Sequence, residues 1–227
     1  MRTAAVLPVK RFARAKQRLG ASVAEELRFA LARAMVADVL LALSQTPSIE
    51  RTIVVTGEDL VATSTAAQGA LIVRDATETG QSAAVTLGVR RAQREGFERV
   101  LCIPGDCPAL DPAELEALLH PASGEAEVVI VSDRHGTGTN GLLLSPPDAI
   151  IPSFGPGSCE RHRALASAAG VACRLERPPS LLLDIDTGAD LAALRERLSG
   201  QDARAARTRA VLGQPERTDV LHISSTG

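Results

Sequence analysis

Short apolar runs alternate along this chain with longer amphipathic stretches, the pattern of a mostly parallel sheet covered by helices. Eight runs read as strands: Thr3–Val9, Thr52–Thr56, Leu71–Arg74, Val100–Ile103, Val128–Ser132, Leu142–Ser145, Cys173–Glu176 and Leu181–Ile185. Each is short and nearly continuously apolar, as expected of strands buried on both faces. Caps mark the helix starts. Ser22-Val-Ala-Glu25 has the spacing of a capping box and opens a helix to about Ser44, with Leu27, Leu31, Ala34 and Val39 on its inner face. Asp111-Pro112-Ala-Glu114 combines a cap, a proline at the first helical position and a glutamate at N3. Thr187-Gly-Ala-Asp190 is a weaker version of that box and opens the last core helix to about Leu198. Helices near Leu60–Gln68, Ala83–Glu95 and Cys159–Ala169 complete the set, with Gly69 and Gly96 as C-terminal stops. From Ser199 the apolar period fades. The expectation is a single α/β domain over residues 1–199, a mostly parallel twisted sheet flanked by helices, and a flexible C-terminal tail over 200–227.

Composition narrows the function. Of 227 residues, 45% are hydrophobic, enough for a sizeable core, yet there are four Phe and no Trp or Tyr. Leu, Val, Ala and Ile must fill that core, and backbone groups rather than aromatic stacking would read any nucleobase. With 25 basic and 27 acidic residues the net charge is -2, which lacks the footprint of a nucleic-acid binder. Lys10 and Arg11 interrupt the apolar amino terminus too early for a signal peptide, and no stretch has the length of a membrane span. Cys102, Cys107, Cys159 and Cys173 form no CxxC or CxxxH arrangement and read as reduced packing residues of a cytoplasmic protein.

Ligands of open α/β sheets bind beyond the carboxyl ends of the strands, and four segments put polar residues there. After the first strand, Lys10, Lys16 and Arg18 lie in a loop where cations could hold a triphosphate or simply be solvated; no Walker A pattern is present. Asp106, in Ile103-Pro-Gly-Asp106, is either a Mg2+ ligand at a strand end or a turn aspartate bonding its own backbone. Asp184 and Asp186, spaced i, i+2, share one side of an extended segment and could bracket one or two Mg2+ ions with Asp106 across a pyrophosphate. Lastly, Asp133–Gly141 and Phe154–His162 are rich in glycine and hydroxyls, letting backbone amides approach an anion. Ser158 would cap the helix that follows, and His162 reads as a packing or surface residue.

Five ordered segments, LPVKRFARAKQRL, TGQSAAVTLG, IPGDCPAL, GTGTNGLLL with FGPGSCERH, and DIDTGADL, together resemble the 2-phospho-L-lactate / phosphoenolpyruvate guanylyltransferase family of coenzyme F420 biosynthesis, within the MobA-like nucleotidyltransferases. The resemblance runs from about Ala4 to Leu198. It implies a Rossmann-like fold of the nucleotide-diphospho-sugar transferase type and transfer of GMP from GTP to a small phosphorylated carboxylic acid with release of pyrophosphate. Phosphoenolpyruvate is the favoured acceptor, ahead of 2-phospho-L-lactate and 3-phospho-D-glycerate. By matching positions it implies Mg2+ held by Asp106, Asp184 and Asp186, and acceptor binding by Thr139, Gly155 and Ser158. Lys10, Lys16 and Arg18 would meet the triphosphate, and Thr79–Ala84, with Gly80, Gln81 and Ser82, would lie by the guanosine. Gln81 stands where the family more often has Asn, and Gly157 and Cys159 sit in the acceptor loop. No side chain is needed as nucleophile or general base, because the acceptor phosphate is already ionised. The partners implied are GTP, the acid and a downstream enzyme that takes the guanylylated product; a homodimer is compatible, and neither nucleic acid nor membrane is expected. The alternatives are another MobA-like nucleotidyltransferase with a different nucleotide or acceptor, and a non-catalytic nucleotide-binding protein.

Overall fold

The computed structural model describes residues 1–12, 19, 23–120, 126–198 and 204–213. Its strands are β1 (Thr3–Val9), β2 (Arg51–Thr56), β3 (Leu71–Arg74), β4 (Arg99–Cys102), β5 (Glu127–Ser132), β6 (Thr139–Ser145) and β7 (Ala172–Glu176). They form one sheet in the order β3-β2-β1-β4-β6-β5-β7. All neighbours are parallel except β6, which runs antiparallel between β4 and β5. The helices are α1 (Glu25–Ser44), α2 (Asp59–Ala66), α3 (Gln81–Arg94), α4 (Pro112–Leu119), α5 (Ser158–Ala168), α6 (Gly188–Leu198) and α7 (Ala206–Leu212).

The period-2 alternation of the strands splits the core between the two faces. Ala5, Leu7, Val54, Leu101 and Val129 pack beneath Val36, Val39 and Leu43 of α1 and Leu115 of α4. Ala4, Val6, Ile53, Val55 and Ile130 pack against Ala84, Val85 and Val89 of α3 and Ala166 of α5. Helix α1 is buried twice over, since Leu31 and Met35 join Ile185, Leu191 and Leu194 in a third cluster with α6. On α1, the buried Asp38 carboxylate accepts from Thr208 N and Oγ1 at 2.8 and 2.7 Å and from Arg207 N at 3.2 Å, pinning the start of α7. Within the expected 200–227 tail, residues 204–213 thus carry a docked helix, α7, while 200–203 and 214–227 lie outside the described residues; the period of α7 is hidden because one buried hydroxyl, Thr208, does much of the anchoring.

Four other expectations change. Leu181–Ile185 is not a strand: Pro179–Leu181 is a 3-10 turn and the rest is irregular. Pro178 and Pro179 bring no N–H to a ladder, and the main chain is satisfied singly, with Leu182 O accepting from Arg134 N at 3.1 Å. The run is apolar because Leu181 and Ile185 are fully buried. Helix α1 starts at Glu25 after Ala24 with no side-chain cap, while Ser22 lies outside the described residues. Asp111 caps α4 through Ala113 N at 2.9 Å, but Glu114 turns away to accept from Ser180 N at 2.8 Å. Thr187 and Asp190 form the complete box: Asp190 Oδ2 accepts from Thr187 N and Oγ1 at 2.7 and 2.8 Å, and Asp190 N donates to Thr187 Oγ1 at 3.3 Å. The cysteines are free, with Cys102, Cys107 and Cys159 buried and Cys173 exposed on β7.

Gly88 decides how closely α3 sits on the sheet. A Cβ there would lie 2.4 Å from Val6 Cγ1 and 3.0 Å from Val55 Cγ2, both on buried strands. Gly88→Ala is therefore expected to lower stability by about 2 kcal/mol despite a gain in helix propensity of about 1 kcal/mol. Equilibrium urea unfolding checks this, and an unshifted midpoint would mean that α3 lifts at no cost.

Candidate active site

A cleft of about 260 Å³ opens over the carboxyl ends of β1 to β4, walled by Lys10, Asp75, Glu78, Gly80, Gln81, Asp106 and Asp186. It lies where the parallel order turns outward from β1, the switch point at which open sheets bind ligands.

Main-chain bonding assembles the acidic wall. Strand β4 continues into Ile103, whose N–H donates to Val6 O at 3.0 Å, and the chain then turns through Pro104 and Gly105 to Asp106. Ile185 N donates to Asp106 O at 3.1 Å, drawing the Asp184–Asp186 segment beside that turn. From β6, the buried Asn140 donates through Nδ2 to Leu181 O at 2.8 Å and to Asp184 Oδ1 at 3.2 Å. Burial pushes the Asp184 carboxyl above the usual carboxylate range, the Asp106 charge pushes it further, and the Asn140 hydrogen bond opposes both. Among the described residues no three His, Cys, Asp or Glu side chains converge as a metal centre. Asp184 feels the charge of Asp106 and, more weakly, of Asp186; Asp106 and Asp186 line the cleft, and the N–H of Asp186 is drawn to Asp190 Oδ2 at 3.0 Å by the cap of α6.

Lys10 lines the same cleft and is exposed, and Lys16 and Arg18 lie outside the described residues. The loop after β1 is held by carboxylates: Arg11 N donates to Glu78 Oε1 at 2.9 Å and Phe12 N to Glu58 Oε2 at 3.2 Å. Asp75 Oδ1 accepts from Glu78 N at 2.9 Å and fixes the turn that follows β3. Gly80, with φ +138°, leads into α3 and leaves Gln81 and Ala84 facing the cleft. Ser82 does not wall it; its Oγ accepts from Phe154 N at 2.8 Å and so ties α3 to the loop before α5.

That loop carries the expected acceptor residues. Gly157, left-handed with φ +70°, is the N-cap of α5, so Ser158 sits one residue inside the helix and does not cap it. Ser158 Oγ donates instead to Thr139 Oγ1 at 3.0 Å, and both hydroxyls are buried. His162 joins them at 3.1 Å through Nδ1, while its Nε2 accepts from Ser153 N at 2.9 Å. The Ser153 donor assigns the proton to Nδ1, which donates to Thr139. His162 is fully buried, and burial, then the Arg161 charge, pulls its pKa down to about 4. It is therefore a neutral packing residue. Among the described residues no acceptor meets the N–H of Gly155 or Gly157.

Thr139, Gly155 and Ser158 thus share one loop cluster, and Asp106 and Asp186 line the cleft with Asp184 within reach of both charges. Asp75, Glu78 and Asn140 were not singled out in the sequence. Asp75 could have been, as a carboxylate directly after a strand; Asn140 is identified only by what it touches.

In outline this is the fold of the nucleotide-diphospho-sugar transferases. A putative member from Desulfovibrio desulfuricans superposes with a TM-score of 0.71 over 93% of this chain and 94% of that one, at 18% identity. Residues 3–213 match the family described as guanylyl transferase CofC like. A phosphoenolpyruvate guanylyltransferase from Conexibacter woesei is 49% identical over 96% of this chain and 99% of its own length. Another from Sphaerobacter thermophilus is 37% identical over 86% and 93%. The chain belongs to the CofC-like guanylyl transferase family and is a guanylyltransferase. No helix among the described residues is long and apolar enough to cross a membrane.

Proposed function

We propose that this enzyme transfers GMP from GTP to phosphoenolpyruvate, releases pyrophosphate, and serves coenzyme F420 biosynthesis in the cytoplasm. The observation that carries this reading is a cleft lined by Asp106, Asp186 and the start of α3, with Asp184 close enough to Asp106 to feel its charge, in a chain 49% identical to a phosphoenolpyruvate guanylyltransferase. An oxygen of the acceptor phosphate attacks the α-phosphorus of GTP, and the bond from that phosphorus to the bridging oxygen breaks as pyrophosphate leaves. Two neighbouring carboxylates, one raised by burial and by the other's charge, fit a hard divalent cation that takes its remaining ligands from phosphates. Mg2+ is that ion in this reading, and when bound it supplies neutralisation of charge on the phosphate oxygens. Asp106 and Asp184 hold it, and Asp186 supports them from the cleft wall. Lys10, with Lys16 and Arg18, attracts the triphosphate, while Gly80 and Gln81 border the guanosine. Gly155 offers its N–H to the acceptor, and Thr139 and Ser158 keep that loop in place through their shared hydrogen bond. Rate acceleration comes from positioning and charge complementarity, with no general base.

Pyrophosphate release is measured from GTP and Mg2+ with phosphoenolpyruvate, 2-phospho-L-lactate or 3-phospho-D-glycerate, with ATP and CTP as nucleotide controls and chelator as metal control. Turnover is expected with GTP and phosphoenolpyruvate and is expected to stop on chelation. Turnover with another acid would replace the acceptor, and full activity in chelator would remove the metal.

A further inference from the structure

We infer that Arg161 is a positioning residue for the acceptor, its guanidinium holding residues 153–156 in the shape that presents Gly155. This rests on the acceptor site proposed above. The loop has no strand partner to order it. Gly155 and Gly157 have φ of +112° and +70°, Pro156 between them brings no N–H, and one turn bond, from Ser158 N to Gly155 O at 3.0 Å, orders only the end of the segment. Side chains order the rest. From the first turns of α5, Arg161 donates through Nε to Ser153 Oγ at 3.2 Å and through Nη2 to Ser153 O at 3.2 Å and Phe154 O at 3.3 Å. Its Nη1 donates to Pro156 O. Ser82 and His162 take the N–H groups of Phe154 and Ser153.

A planar fork with fixed N–H directions can serve four oxygens spread over several residues, which an ammonium cannot do. The fork also keeps a positive charge beside a loop proposed to meet a carboxylate and a phosphate. Because Arg161 is exposed, its hydrogen bonds compete with water and contribute little to global stability. Their loss should therefore appear in acceptor binding and not in unfolding. Ser82 extends the clamp to α3, whose start borders the nucleotide cleft, so the two halves of the site share one brace.

Arg161→Lys and Arg161→Gln are compared with wild type by steady-state pyrophosphate release, with each substrate varied at saturation of the other. Both variants should raise the acceptor KM about tenfold and move the GTP KM less than about twofold, with an unchanged melting temperature. A wild-type acceptor KM in Arg161→Lys would mean that charge alone acts and would overturn the fork. Equal rises in both KM values with a lowered melting temperature would reduce Arg161 to a structural role. Hydrogen exchange at the Ser153 and Phe154 amides reads the clamp without turnover and should be about tenfold faster in both variants. Unchanged exchange overturns the inference even if the acceptor proves to be a different acid; accelerated exchange in a protein that turns over none of the acids leaves the clamp standing and removes the proposed function.

Discussion

Asp184→Asn is expected to lower turnover at least about a hundredfold, on the order of 3 kcal/mol of lost transition-state stabilisation, while the fold stays intact. The two halves of that expectation have one cause. In the folded protein the Asp184 carboxylate is partly buried and faces the like charge of Asp106, so its ionised form is already disfavoured. Replacing it with a neutral isostere removes that repulsion, and the unfolding midpoint should hold or rise. Catalysis depends on the same negative charge, because two carboxylates attract and orient the cation proposed to meet the phosphates. Asp106→Asn should behave alike. Single-turnover pyrophosphate release and urea unfolding, run on the same preparations, check both halves. A folded Asp184→Asn enzyme at near wild-type rate would remove Asp184 from the chemistry.

Acid should destabilise the protein through His162, by about 3 kcal/mol at most. Its pKa is depressed from the usual 6.5 to about 4, chiefly by burial. Below about pH 6.5 the unfolded chain takes up a proton that the folded protein refuses, so the unfolded state gains. The contribution is fully present above that pH and is lost as the pH falls towards about 4. Protonation would also turn Nε2 from acceptor to donor against Ser153 N–H, the bond that holds the start of the acceptor loop. The check is urea unfolding at about pH 7.5 and about pH 4.5 for wild type and His162→Gln. Wild type should lose about 2 to 3 kcal/mol more than the variant between those conditions. An equal loss in both would assign the acid sensitivity to other groups.

Much of the molecule follows from neighbours a few residues apart, and this part is legible in the sequence. Strand alternation depends on successive residues, so seven of the eight expected strands stand, Thr3–Val9 and Leu71–Arg74 to the residue. Proline at the first position of α4 and left-handed Gly69 and Gly96 after α2 and α3 are likewise local conditions of the backbone. The eighth run failed for a physical reason. Apolar character reports burial, and Leu181 and Ile185 are buried in an irregular segment that leads to Asp186 on the cleft wall. Period alone cannot separate that from a strand.

Site chemistry was legible as residue types at strand ends, and by resemblance as an ordered set of motifs. What those side chains do was not. Ser82 read as a nucleotide residue, yet it bonds Phe154, 72 positions away. Ser158 read as a cap, yet its hydroxyl serves Thr139. Arg161 had no signal, because its importance lies in four oxygens of a loop that folds back over it. Local sequence thus determined the elements, the family and the strand ends where carboxylates and glycines gather. The tertiary structure alone decided which of them meet, because hydrogen-bond direction and like-charge proximity depend on separations that the chain closes only when it folds.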